Sequence, residues 1–294
     1  MIDADTQVEA DACLSSTSND GGVPPLRIGS VELSSRLIMG SGRFASLEVM
    51  REALMASGCH AVTIAVRRER LHDAAGRNIL DFLDLDRWVL LPNTAGCFDA
   101  ETAVRAARMG REILTGLGQT QFSWVKLEVL SDSSRMLPDP IETLRATEQL
   151  VGDGFDVLCY CSDDPALARQ LQRAGAVCVM PGGSPIGSGL GILNPFNIRA
   201  LTEELKSHVP DYPVLVDAGV GSAGDVVAAM ELGVDGVMVN TAVAKAGSPV
   251  EMAQAIQLAV VAGWRSFRAG RMPKLPFASA SSPELGVIAS RRST

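Results

Sequence analysis

The chain has no apolar run near the roughly 18–20 residues that cross a bilayer, so no membrane-spanning helix is expected. It has no basic stripe either. Its formal net charge is −8, and its basic clusters are the short runs Arg67-Arg68-Glu69-Arg70 and Arg291-Arg292, which excludes a general nucleic-acid binder. The first 26 residues lack the charged start and apolar centre of a secretory signal and are rich in Asp, Ser and Gly. They are expected to form a disordered tail. Six cysteines, at 13, 59, 97, 159, 161 and 178, show no paired metal spacing and fit small core residues in a reducing cytoplasm.

Familiar catalytic signatures are missing too. The three histidines, His60, His72 and His208, share no triad or metal spacing. No Gly-Lys-Ser/Thr marks a P-loop, and Gly187-Ser188-Gly189 lacks the spacing of a hydrolase elbow. No metal site or bound cofactor is therefore expected. Lysine is scarce: Lys126, Lys206, Lys245 and Lys274 are the only four in a chain that otherwise uses arginine.

What is present is a repeat of short apolar strands and amphipathic helices. Strands are predicted at Arg36–Gly42, Ala61–Val66, Val89–Asn93, Trp124–Val129, Val157–Cys161, Val177–Met180, Val214–Asp217 and Gly236–Asn240. Helical periodicity follows at Ala100–Leu114, Ile141–Val151, Pro165–Ala174, Pro195–Leu205, Ala223–Leu232 and Pro249–Ala269, with a short helix at Asn78–Leu83. Asp164-Pro165, Asn194-Pro195 and Ser248-Pro249 suit helix starts. Eight such units favour one (β/α)₈ TIM barrel over residues 27–273, with a flexible segment at 274–294. An open doubly wound sheet competes, but Gly40-Ser41-Gly42-Arg43-Phe44-Ala45 lacks the last glycine of a dinucleotide fingerprint, and no acidic residue about 20 positions on ends a second strand.

A barrel gathers its chemistry at the carboxyl ends of the strands. There the sequence places Asn93-Thr94, Lys126, Glu128, Asp217 and Asn240-Thr241. Side chains alternate along a strand, so Trp124, Lys126 and Glu128 share one face. A buried ammonium needs a partner or a chemical role. Lys126 therefore reads either as a structural ion pair or as an imine-forming nucleophile, with Glu128 and Asp217 as acid and base. Burial favours the neutral amine and a nearby carboxylate opposes this, which leaves the balance open. The glycine-rich ends Asp217-Ala218-Gly219-Val220-Gly221-Ser222 and Asn240-Thr241-Ala242 fit a phosphate site, helped by a helix N-terminus. Five glycines between Pro181 and Gly191 make a substrate loop after the sixth strand.

Read in order, Leu91-Pro92-Asn93-Thr94-Ala95-Gly96, Lys126-Leu127-Glu128-Val129, Leu137-Pro138-Asp139-Pro140, Ser184-Pro185-Ile186-Gly187-Ser188-Gly189, Val216-Asp217-Ala218-Gly219 and Asn240-Thr241-Ala242 resemble the bacterial thiazole synthases of thiamin biosynthesis. The resemblance runs from Arg27 to Pro283. It implies a barrel that binds 1-deoxy-D-xylulose 5-phosphate through an imine on Lys126, with Glu128 and Asp217 as proton carriers. Gly187, Ala218, Gly219, Asn240 and Thr241 match substrate-binding positions. It also implies sulfur delivery by the thiocarboxylate of a ubiquitin-like sulfur carrier protein, condensation with 2-iminoacetate (dehydroglycine), and a homotetramer. The chain departs from the family's Thr-Gly-Lys-Tyr at Ser41-Gly42-Arg43-Phe44, and Ser207–Tyr212 is expected as a longer loop. A Schiff-base aldolase on a phosphorylated sugar and a non-enzymatic phosphate-binding scaffold are the competing readings.

Overall fold

Parallel strands buried on both faces need near-continuous apolar runs, and each needs a helix to return the chain. The computed structural model describes residues 22–65, 76–120, 123–279 and 281, and it shows this pattern closed into a ring. A short antiparallel hairpin, β1 (Leu26–Ile28) and β2 (Val31–Leu33), precedes it. The ring strands are β3 (Leu37–Gly40), β4 (Ala61–Ala65), β5 (Val89–Asn93), β6 (Trp124–Leu127), β7 (Asp156–Cys161), β8 (Cys178–Pro181), β9 (Leu215–Asp217) and β10 (Gly236–Val239). All neighbouring pairs are parallel, β10 lies beside β3, and the bridges Val179↔Val214 and Gly182↔Asp217 join β8 to β9. The sheet is a closed eight-stranded barrel.

Helices α1 (Leu47–Ser57), α2 (Ala100–Gly116), α3 (Pro140–Gly152), α4 (Pro165–Arg173), α5 (Pro195–His208), α6 (Ala223–Met230), α7 (Thr241–Ala244) and α8 (Pro249–Ala269) form the outer layer. The expected caps are present at two of three places: Asp164 accepts from the Ala166 N–H and Asn194 from the Asn197 N–H, whereas Ser248 makes no side-chain cap bond. A 3₁₀ turn at Ile79–Phe82 stands where a short helix was expected.

Several boundaries differ from the sequence expectation. Helix α1 was not among the predicted helices, although Ser46 caps its start through the Val49 N–H and Gly58 ends it at φ +62°. Strand β1 begins at Leu26, the last residue assigned to the tail. Three-residue strands are too short for periodicity to reveal. The hairpin covers the amino-terminal end of the barrel, where Asp156 at the start of β7 accepts from Ser30 N (3.0 Å) and Oγ (2.7 Å). The expected loop at Ser207–Tyr212 is partly helix, because α5 runs to His208, and Tyr212 is buried with its hydroxyl donated to the Ala176 carbonyl. Residues 1–21 of the expected tail, the basic run at 67–70, His72, Cys13 and most of the expected flexible carboxyl segment lie outside the described residues.

One seam of the barrel matters for the site. Strands β5 and β6 pair only at Asn93↔Lys126. Below that pair, side chains replace the ladder: Leu90 N–H donates to Gln119 Oε1, and its carbonyl accepts from Trp124 Nε1 at 2.8 Å. Above it, the Thr94 hydroxyl donates to the Glu128 carbonyl and accepts from the Glu128 N–H, both at 2.8 Å. This clip fixes the backbone of Glu128 just past the strand end. Thr94→Val keeps the shape but strands two buried backbone groups, so it should cost about 2 kcal/mol of stability. Urea unfolding would measure this, and a change below about 0.5 kcal/mol would mean that the clip is not needed.

Candidate active site

Lys126 lies on β6, and its strand neighbours put it in the barrel interior at the carboxyl end. It is 4% exposed, Glu128 7% and Asp217 4%. Nζ donates to Glu128 Oε2 at 3.2 Å. Asp217 Oδ2, on β9 across the barrel, is nearer at 2.7 Å, but it lies off the hydrogen-bond direction. That contact is ionic, and Oδ2 remains a buried acceptor without a hydrogen-bond donor.

Two influences compete over the lysine's proton. Burial is the largest and lowers its pKa, but the charges of Asp217 and Glu128 together outweigh it and hold the pKa above the ordinary lysine value. The resting group is an ammonium. The open question from the sequence is thus answered in favour of the charged form. Tyr160, on β7, presents its ring 5.5 Å from Nζ, a cation–π distance. Burial is the main cause that pushes its phenol pKa up, so it stays neutral.

Above this cluster opens a cavity of about 1010 Å³. That is at the upper end of small-molecule sites, which run to about 1,000 Å³. All eight residues singled out from the sequence line it: Lys126, Glu128, Asp217, Gly187, Ala218, Gly219, Asn240 and Thr241. Gly187 (φ +72°) faces Thr241, whose Oγ1 and Cγ2 lie 4.0 Å from the place of a Cβ on Gly187. At Gly219 (φ +80°) a Cβ would meet Ser184 Oγ at 2.0 Å, so only glycine lets the loops after β8 and β9 touch. Backbone bonds stitch these loops together, with Gly191 N–H donating to the Gly219 carbonyl at 2.8 Å.

Some of these loops are also held by side chains. Asp225 Oδ2 caps α6 by accepting from Gly221 N (2.9 Å) and Ser222 N (3.0 Å), which fixes the turn before the helix. With its amide turned so that the nitrogen faces the loop after β3, the orientation that satisfies both groups, Asn240 donates to the carbonyls of Gly42 (2.8 Å) and Gly40 (3.3 Å). Sequence reasoning missed Tyr160, although parallel pairing of Lys126 with Leu158 places position 160 opposite Glu128. It also gave Arg43 no role, yet Arg43 lines the cavity. The described cysteines, Cys59, Cys97, Cys159, Cys161 and Cys178, are free and buried. Among the described residues no group of three or more His, Cys, Asp or Glu could hold a metal ion. No helix there is long and apolar enough to cross a membrane.

A closed parallel barrel with its polar cluster at the carboxyl end is the architecture of a (β/α)₈-barrel enzyme. Residues 27–283 match the family model described as thiazole biosynthesis protein ThiG, and the chain belongs to that family, the thiazole synthases of thiamin biosynthesis. It is 59% identical to the thiazole synthase of Rhodopirellula baltica over 91% of this chain and 93% of that protein. The thiazole synthase of Pseudomonas paraeruginosa is 51% identical over 90% and 96%. Among solved structures, the Amycolatopsis orientalis BexX/CysO complex matches with a TM-score of 0.76 and 33% identity, covering 87% of this chain and 100% of that one. A mandelate oxidase, with a TM-score of 0.55 and 15% identity over 82% of this chain and 77% of its own, shares the fold alone.

Lys126→Met would leave two buried carboxylates without their cation and should cost about 3–5 kcal/mol near neutral pH. The loss should shrink as the pH falls and protonates them. In the native protein the sign is opposite: a lysine raised above about 10.5 contributes its full stability below that pH and loses it as the pH climbs through the folded value. Unfolding free energies of both proteins between acid and alkaline pH would check this pattern.

Proposed function

We propose that this thiazole synthase forms a covalent imine between Lys126 and 1-deoxy-D-xylulose 5-phosphate. The observation that carries the reading is a single buried ammonium held between two carboxylates at the floor of a large cavity. An ammonium cannot attack a ketone, so a proton must leave first. Asp217 Oδ2 is the nearest acceptor and has no hydrogen-bond donor to give up. The freed amine adds to the ketone carbon as Asp217 returns that proton to the ketone oxygen; Glu128 then takes a second proton from the nitrogen and passes it to the departing hydroxyl. Water leaves and an iminium remains.

The iminium is again a cation at the same nitrogen, so the two carboxylates and the Tyr160 ring that stabilise the ammonium stabilise it as well. A carboxylate then removes a proton from the adjacent hydroxyl-bearing carbon and returns one, moving the carbonyl along the sugar chain. The thiocarboxylate sulfur of a small carrier protein adds to that carbonyl carbon, the carrier's acyl group passes from the sulfur to the carbonyl oxygen, and the carrier leaves as its carboxylate with the sulfur kept on the sugar carbon. Condensation with 2-iminoacetate closes the ring and releases Lys126. Arginine could not replace this lysine, since a guanidinium keeps its charge.

Gly187, Ala218, Gly219, Asn240 and Thr241 surround the sugar phosphate in this reading, with the phosphate over the ends of β9 and β10. Ala218 and Gly219 offer backbone N–H groups there, while Asn240 acts by holding the neighbouring loop. The cavity's volume leaves room for a second reactant beside the sugar. The solved complex of the related BexX with CysO supports a protein partner for this barrel. A homotetramer is the proposed assembly. Five free, buried cysteines suit a reducing cytoplasm as its compartment.

Borohydride added with the sugar phosphate should attach the reduced substrate to Lys126, read by mass spectrometry of the digested protein. Lys126→Arg should take up no label. An unlabelled native protein, or full labelling of the variant, would sink the imine. Product formation that needs no carrier thiocarboxylate would instead favour an aldolase.

A further inference from the structure

The cavity floor carries one ammonium and two carboxylates, a formal excess of negative charge. A phosphate monoester brings more of the same sign. Backbone N–H groups, at Ala218 and Gly219 or in the first turn of α6, supply only partial charges. A cation is needed, and two arginines line the cavity. Arg77 is committed, with Glu48 at 2.5 Å and the Phe82 ring at 5.2 Å. Arg43 has no hydrogen bond or ion pair among the described residues.

Arg43 is also held in place at a conformational cost. Its φ is +68°, a region that non-glycine residues avoid. The loop persists there because both ends are pinned. Ser41 donates from N (3.3 Å) and Oγ (2.7 Å) to the Thr63 carbonyl. The Asn240 amide holds the Gly42 carbonyl at 2.8 Å. This last bond ties Arg43 to the end of β10, next to Thr241. An observed backbone outlier in a cavity wall, overdetermined by its surroundings, is a pointer to function.

We propose that Arg43 is the cation that binds the substrate's phosphate, a role outside the five substrate-binding positions named above. The proposal rests on the phosphorylated-sugar reading of the same cavity. A guanidinium offers a planar fork of donors that matches two phosphate oxygens, whereas a lysine offers a point charge. The departure from the family's lysine therefore keeps the charge and changes the geometry of the contact. The same fork would also accept a carboxylate, such as that of 2-iminoacetate, and the test separates the two.

The native protein, Arg43→Gln and Arg43→Lys would be compared by borohydride trapping at Lys126 over a range of 1-deoxy-D-xylulose 5-phosphate, and again with the unphosphorylated sugar. Arg43→Gln should raise the half-saturating concentration of the phosphate ester about 10- to 100-fold. It should leave that of the unphosphorylated sugar unchanged, and Arg43→Lys should recover most of the loss. Inorganic phosphate binding, measured by calorimetry on the native protein and both variants, should weaken in step. Equal shifts for the two sugars, no shift for either, or an effect confined to the dependence on 2-iminoacetate would each overturn the proposal. If the native protein takes no label at Lys126, the imine reading fails, and the phosphate calorimetry still decides the role of Arg43.

Discussion

The contact between one ammonium and two carboxylates, closed off from solvent, sets the terms for the rest of this molecule. Lys126 reaches Glu128 on its own strand and Asp217 on β9, so the cluster spans the barrel mouth. Removing the lysine alone would leave two buried carboxylates without their cation. The same proximity that keeps the lysine charged gives its proton two places to go. In the proposed imine mechanism a lysine whose pKa is raised can still serve, because its deprotonation is local and the cationic product recovers the lost attraction.

Around this floor the backbone does much of the shaping. Arg43, Met136 and Ala218 are the three non-glycine residues with positive φ among the described residues, and all three line the cavity. Strain of this kind persists where the surroundings overdetermine it. Here the surroundings are visible: the Asn240 amide on the loop after β3, the Gly191–Gly219 bond between the loops after β8 and β9, and the Thr94 clip on Glu128. The barrel supplies a rigid ring, and these bonds carry its precision up into the loops.

Much of this was legible in the sequence because it depends on period and order. Alternation put Lys126 and Glu128 on one face, and eight repeats favoured a closed ring over an open sheet, which brings Asp217 opposite them. What was not legible depends on contacts between distant segments. Nothing local marks the three-residue strands β1 and β2. The lysine's charge state needed the 2.7 Å and 3.2 Å distances, since burial and carboxylates pull in opposite directions. Asn240 could be placed at the site from its position after β10, but its amide's engagement with Gly42 could not. The glycine-rich turn after β9 suggested a helix N-terminus, and only the structure shows Asp225 fixing that turn through Gly221 N and Ser222 N.

The central claim is that Lys126 rests as an ammonium stabilised by its two carboxylates. Lysine labelled with ¹³C at Cε tests it directly, because the chain has only four lysines and Lys126→Arg identifies the signal. A pH titration followed by NMR should find Lys126 still carrying its ammonium shift at about pH 11, above the usual lysine value. A Lys126 signal that titrates below about pH 9 would contradict the account, since desolvation would then outweigh the carboxylates and the resting group would be far easier to deprotonate.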